Sequence, residues 1–206
     1  MIATRSLLLR RATRLGWFTV GWNLAEGVIA ISAAVFAGSQ ALLGFGLDSG
    51  IESISASILL WRLYAERDDP DRVERVERQA VRLIGLSFFI LSTFVALDAA
   101  HSLATTSEPK ASPVGIALTA LSLVVMSVLA YQKRQVGREM SSRSVETDSK
   151  QTSACAYLSA VVLVGLVLNA RLGWWWADPI AAFGVVAFLV REGREATRAE
   201  HIDDCC

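Results

Sequence analysis

ALLGFGLDSGIESISASILLW, residues 41–61, is apolar and about as long as the ~20 residues a membrane-spanning helix needs, yet it carries Asp48 and Glu52. A charged side chain near the centre of a spanning helix costs about 2.5–3.5 kcal/mol even on the lenient insertion scale. Such groups persist where water, a protein partner or a bound cation compensates them. Residues four apart lie on one helical face, so both carboxylates point the same way. Two oxygen ligands on one face inside a membrane imply a cation site. Gly46 and Gly50 make a GxxxG spacing, and Ser49, Ser53 and Ser57 continue the small residues along the helix. Small residues let helices approach closely, which brings the two acids near side chains of a neighbour. The alternative, a packing seam whose acids snorkel to the surface, fits poorly at this depth.

Outward from this run, the chain holds five further apolar stretches, at about 16–37, 81–103, 113–131, one ending near 170, and 175–190. The expectation is an all-α integral membrane bundle of six transmembrane helices, with a basic N-terminus over 1–14, a bundle over 15–191 and a short tail over 192–206. The chain has 206 residues, of which 53% are hydrophobic, and a formal net charge of zero. That charge is segregated. Arg5, Arg10, Arg11 and Arg14 precede the first run, Arg62 to Arg82 lie between the second and third, Lys133 to Lys150 between the fourth and fifth, and Arg191, Arg194 and Arg198 follow the sixth. The opposite connections hold only Lys110 and Arg171. This asymmetry predicts both termini in the cytoplasm and accounts for the basic clusters without nucleic acid. Residues 68–82, DDPDRVERVERQAVR, read as a solvated cytoplasmic connector with helical character. No signal peptide is recognisable, and Cys155, Cys205 and Cys206 form no disulfide framework.

The fifth run offers a partner for the two acids. Asp148, Gln151 and Cys155 share one helical face, and each can present oxygen or sulfur to a metal. A thiolate beside carboxylates favours zinc or another borderline divalent ion over magnesium or calcium; Cys155 as a small buried hydrophobe is the equal alternative. Depth decides whether the faces meet. Counted from Trp61, Glu52 and Asp48 stand about 14 and 20 Å along the helix. Cys155 reaches a comparable height, about 18 Å, if its helix starts near Arg143 and so runs longer than its apolar stretch. Asn23 with Glu26, and Asp98 with His101, are further polar pairs inside apolar runs; the first joins the central site or bonds within the bundle, the second is an ion pair or proton relay near the outer end. Trp174, Trp175 and Trp176 suit an interfacial belt, and Asp178-Pro179 suits the start of the sixth helix, with Asp178 as N-cap. A tail cluster of His201, Asp203, Asp204, Cys205 and Cys206 is a weak metal candidate.

These residues resemble a known family. Asp48-Ser-Gly-Ile-Glu52 in the second of six helices looks like the DxxxD metal half-site of the cation diffusion facilitators. The segment 148–155 is similar to the other half-site, usually HxxxD with an acid three positions earlier; laid over it, the acid falls on Asp148, the His on Gln151 and the Asp on Cys155. Ala177-Asp178-Pro179 also resembles the family's entry to the sixth helix. The resemblance implies a homodimeric, non-enzymatic carrier that exports zinc or a similar divalent transition-metal ion in exchange for protons, here in a bacterial inner (plasma) membrane. Metal ligands would be Asp48, Glu52, Cys155, Gln151 and Asp148. Gln151 and Cys155 depart from the family's pattern, and the chain reads as a branch with the transmembrane domain alone. Two other classes remain beside it: a proton-coupled transporter of another solute, and a non-transporting metal-sensing membrane subunit. No nucleophile–base pair or HExxH spacing favours an enzyme.

Overall fold

The computed structural model describes residues 2–37, 40–69, 72–105 and 113–202, and these fold into six α-helices. They are α1 (Ile2–Ala37), α2 (Gln40–Asp68), α3 (Val73–Thr105), α4 (Pro113–Met140), α5 (Arg143–Leu172) and α6 (Ala177–Ile202). The chain is an all-helical membrane bundle, as expected. The helices α1 to α4 are long and apolar enough to cross a bilayer. Helix α5, 30 residues and about 45 Å long, is polar in its first half and apolar from Ala154 onward. Position explains the polar first half of α5: that half is mostly buried, and the helix packs against α2, α3, α4 and α6. With α2, which touches α1, α3 and α5, it forms the centre of the bundle.

Every helix extends beyond its apolar run. At the end of the bundle that holds both termini, the start of α1, the end of α2, the start of α3 and the α4–α5 turn meet through charge. Arg62 is buried and pairs with Glu66 and Glu77, while Arg5 pairs with Glu66 at 2.7 Å and donates to the Met140 carbonyl. Glu77 also accepts from the Ser144 backbone N–H at 2.8 Å and from the Ser142 hydroxyl at 2.9 Å, which satisfies orphan donors at the start of α5. Residues 72–82 are therefore more than a solvated connector: Val76, Ala80 and Val81 are buried, and Glu77 caps another helix.

The fifth helix does start at Arg143, beyond its apolar run, as the depth argument required. A tight turn makes this possible. Ser141 adopts φ 51°, and Ser142 and Ser141 return their N–H groups to the Gly137 and Arg138 carbonyls. A Cβ at Gly137 would sit 2.8 Å from Glu146 Cγ, so glycine lets α5 turn back against α4. A further apolar core lies between α3, α5 and α6, built on Phe88, Leu91, Leu158 and Leu189. At the opposite end, Trp174 and Trp176 stack at 5.5 Å, both partly exposed. Helix α6 begins at Ala177, which puts Asp178 inside the first turn with Pro179 rather than at the N-cap position; helix ends shift by one or two residues with criterion. Residues 203–206, with most of the tail cluster, lie outside the described residues.

Candidate cation site

All five candidate ligands are buried in the bundle centre, between 0% and 3% exposed. They do not behave alike. Asp48 faces Cys155, with Glu52 and Glu26 in the same surroundings. Glu52 lies among Lys133, Thr152, Cys155 and Asp148. Both oxygens of Asp48, both of Glu52 and both polar atoms of Gln151 make no well-formed hydrogen bond among the described residues, although Cys155 lies against both carboxylates and Thr152 against Glu52. Buried polar groups in native proteins are almost always paired, and an unpaired one costs about 1–3 kcal/mol, more if charged. Such a concentration at one place makes it the candidate cation site.

Asp148 is different. Its Oδ2 lies 2.7 Å from Lys133 Nζ, and its Oδ1 accepts from the Ser55 hydroxyl at 3.1 Å. Lys133 is itself 1% exposed and donates to Thr152 Oγ1 at 2.9 Å. This buried ion pair ties α4 to α5, and Ser55 adds α2. Asp148 is thus satisfied by protein, whereas Asp48 and Glu52 are not.

From sequence alone Lys133 reads as a loop cation, and that reading misses its role in the core. Its helix position could have revealed it: Met126, Leu129, Lys133, Val136 and Met140 recur at helical spacing, and all are buried. Arg62 is the same case on α2, flanked by buried Leu59 and Leu63. Cys155 also contacts an apolar cluster with Met126 and Leu129, which keeps water from that side of the core.

The arrangement is open. Among the described residues, no three Cys, His, Asp or Glu side chains come together closely enough to hold a metal ion. Four carboxylates instead rise along the bundle from the end that holds the termini: Asp148 on α5, Glu52 and Asp48 on α2, and Glu26 on α1, which accepts from Ser49 at 3.1 Å. Asp98 sits elsewhere, against Gly44 of α2, and His101 is exposed.

A profile of the cation efflux transmembrane domain matches residues 17–199. The chain belongs to the cation efflux family. Two curated relatives of this cation efflux chain bear on it. An uncharacterized transporter of Synechocystis sp. is 25% identical over 172 residues, covering 81% of this chain and 56% of the relative. Transmembrane protein 163 of Xenopus laevis is 27% identical over 182 residues, covering 88% of this chain and 63% of the relative. The chain therefore spans about six-tenths of the length of these relatives. Membership in this family establishes an integral membrane protein of a transporter class, not an enzyme class, with a metal cation as the kind of substrate the family handles.

Proposed function

We propose that this cation efflux protein carries a divalent metal ion, zinc, across the membrane in exchange for protons. The observation that carries the reading is the burial of Asp48 and Glu52, one helical turn apart on α2, with no well-formed hydrogen bond to any of their four oxygens among the described residues. A doubly charged guest supplies what the protein withholds. Cys155 and Gln151 complete the donor set from α5, and the thiolate favours zinc over harder ions. Asp148 serves mainly as the counter-ion of Lys133, which fixes the register of α5 on α4 and so the height of Cys155. Ligands must be deprotonated to bind, so protonation of the carboxylates and the thiol from the far side releases the ion. Rocking of the bundle about the site gives alternating access.

The basic asymmetry of the connections supports cytoplasmic termini, with 15–191 as the transmembrane domain and 1–14 and 192–206 on the cytoplasmic side. Two copies of the chain act as a homodimer, in a bacterial inner membrane. Zinc flux into vesicles reconstituted with the pure protein tests the proposal. Wild type gives saturable, pH-gradient-dependent flux, and Asp48→Ala abolishes it. Equal flux in both rejects the assignment.

A further inference from the structure

We propose that Glu26 of α1 is a third carboxylate of the cation path, and that with Asn23 it makes the α1 side of the core an all-oxygen station favouring harder divalent ions such as Mn²⁺. This rests on the reading of Asp48 and Glu52 as the cation site.

The argument starts at a seam. A Cβ at Gly27 would lie 3.3 Å from the Gly46 carbonyl oxygen, and one at Gly46 would lie 2.7 Å from Ile31 Cγ1. Glycine at both positions lets α1 and α2 approach almost backbone to backbone. That approach carries Glu26, the neighbour of Gly27, into the environment of Asp48, two residues after Gly46. Ser49 then holds one Glu26 oxygen by a hydrogen bond of 3.1 Å. The other, Oε1, has no partner among the described residues, and the side chain is 2% exposed.

The surroundings of Glu26 are equally incomplete. Ser122 of α4 faces it, fully buried, with a hydroxyl that makes no hydrogen bond among the described residues. Asn23, one helical turn earlier on the same buried face of α1, is 1% exposed with both its amide oxygen and its amide nitrogen unpaired. Ser122, Ser49 and Trp22 surround the Glu26 carboxylate, but only Ser49 makes a well-formed hydrogen bond to it among the described residues. Asn23, Glu26 Oε1 and the Ser122 hydroxyl are left open on the α1 side, next to Asp48 through Glu26, and a cation drawing in Glu26 Oε1, Asp48 and the Asn23 amide oxygen would satisfy the acids together.

The donor chemistry of the two sides differs. On the α5 side stands sulfur, from Cys155; on the α1 side every donor is oxygen. Carboxylate and carbonyl oxygens suit Mg²⁺, Ca²⁺ and Mn²⁺, whereas thiolate suits zinc. The site is therefore two-faced, and selectivity is divided between α1 and α5.

The test is equilibrium binding of Zn²⁺ and Mn²⁺ to the purified full chain in detergent, for wild type, Glu26→Gln and Cys155→Ser. Glu26→Gln is expected to weaken Mn²⁺ at least about tenfold with a much smaller effect on Zn²⁺, and Cys155→Ser to do the reverse. Equal weakening of both metals by Glu26→Gln, or no change in either, overturns the inference while leaving the Asp48–Glu52 site intact. Failure of wild type to bind either metal overturns the underlying reading and this one with it. If Glu26→Gln does not fold, Asn23→Ala decides: it removes an oxygen donor without changing charge. Selective loss of Mn²⁺ binding in that variant supports the station, and unchanged Mn²⁺ binding removes it.

Discussion

Replacing Lys133 with Met isolates the most exacting interaction in the bundle. The methionine keeps the length and apolar stem of lysine but removes the ammonium 2.7 Å from Asp148 Oδ2 and 2.9 Å from Thr152 Oγ1. Asp148, fully buried, is left with the Ser55 hydroxyl as its one side-chain donor among the described residues, at 3.1 Å. Breaking a buried pair by removing one partner costs about 3–5 kcal/mol, because an uncompensated charge remains. Removing both charges costs far less, and an apolar or neutral replacement is often tolerated. Lys133→Met is therefore expected to lose about 3–5 kcal/mol, Asp148→Asn a comparable amount, and the double variant to recover most of the loss. Thermal unfolding in detergent micelles, with all three variants and wild type compared, gives the cycle. A single Lys133→Met variant within about 1 kcal/mol of wild type, or a double variant as unstable as either single, would refute the reasoning.

Other expectations follow from the same geometry. Glu77→Gln should destabilise the end that holds the termini by about 1.5–3 kcal/mol, since it weakens charge-assisted bonds to Arg62 and the Ser144 N–H; hydrogen exchange at the start of α5 should rise in step. Ser141→Gly should stabilise the α4–α5 turn by about 1 kcal/mol, because φ 51° costs a non-glycine residue about 1–2 kcal/mol and the gain is partly offset by the freedom of glycine in the unfolded chain; unfolding in detergent reads the shift. Gly46→Val should force α1 away from α2, since even its Cβ would sit 2.7 Å from Ile31 Cγ1. The expected outcome is about 1–3 kcal/mol of lost stability together with reduced zinc flux in vesicles.

The helices were legible because apolar length and the glycine and proline breaks are local signals. Their true ends were less so. Hydropathy stops where charge begins, yet Arg62, Glu66 and Glu77 continue their helices by pairing with one another in the interior, so charge there marks a junction and not a loop. The pairing of Asp48 and Glu52 with Cys155 could be reached from spacing and depth, since each helix is a ruler of known rise. What separated Asp148 from the other acids could not. That depends on Lys133, which lies on α4, and only the packing of α4 on α5 decides that its ammonium reaches Asp148 rather than water. Glu26 stood between two readings for a similar reason: whether α1 presents it to Asp48 depends on the Gly27–Gly46 approach, a contact between helices that neither sequence segment shows alone.

Asp48 and Glu52 as the seat of a travelling cation is the claim on which the rest turns. Anomalous X-ray scattering from crystals grown with zinc addresses it most directly. The account predicts a zinc peak between α2 and α5, within coordination distance of both carboxylates and lost in Asp48→Asn. A peak confined to other residues, or those carboxylates refined against acyl chains with no ion beside them, would contradict it.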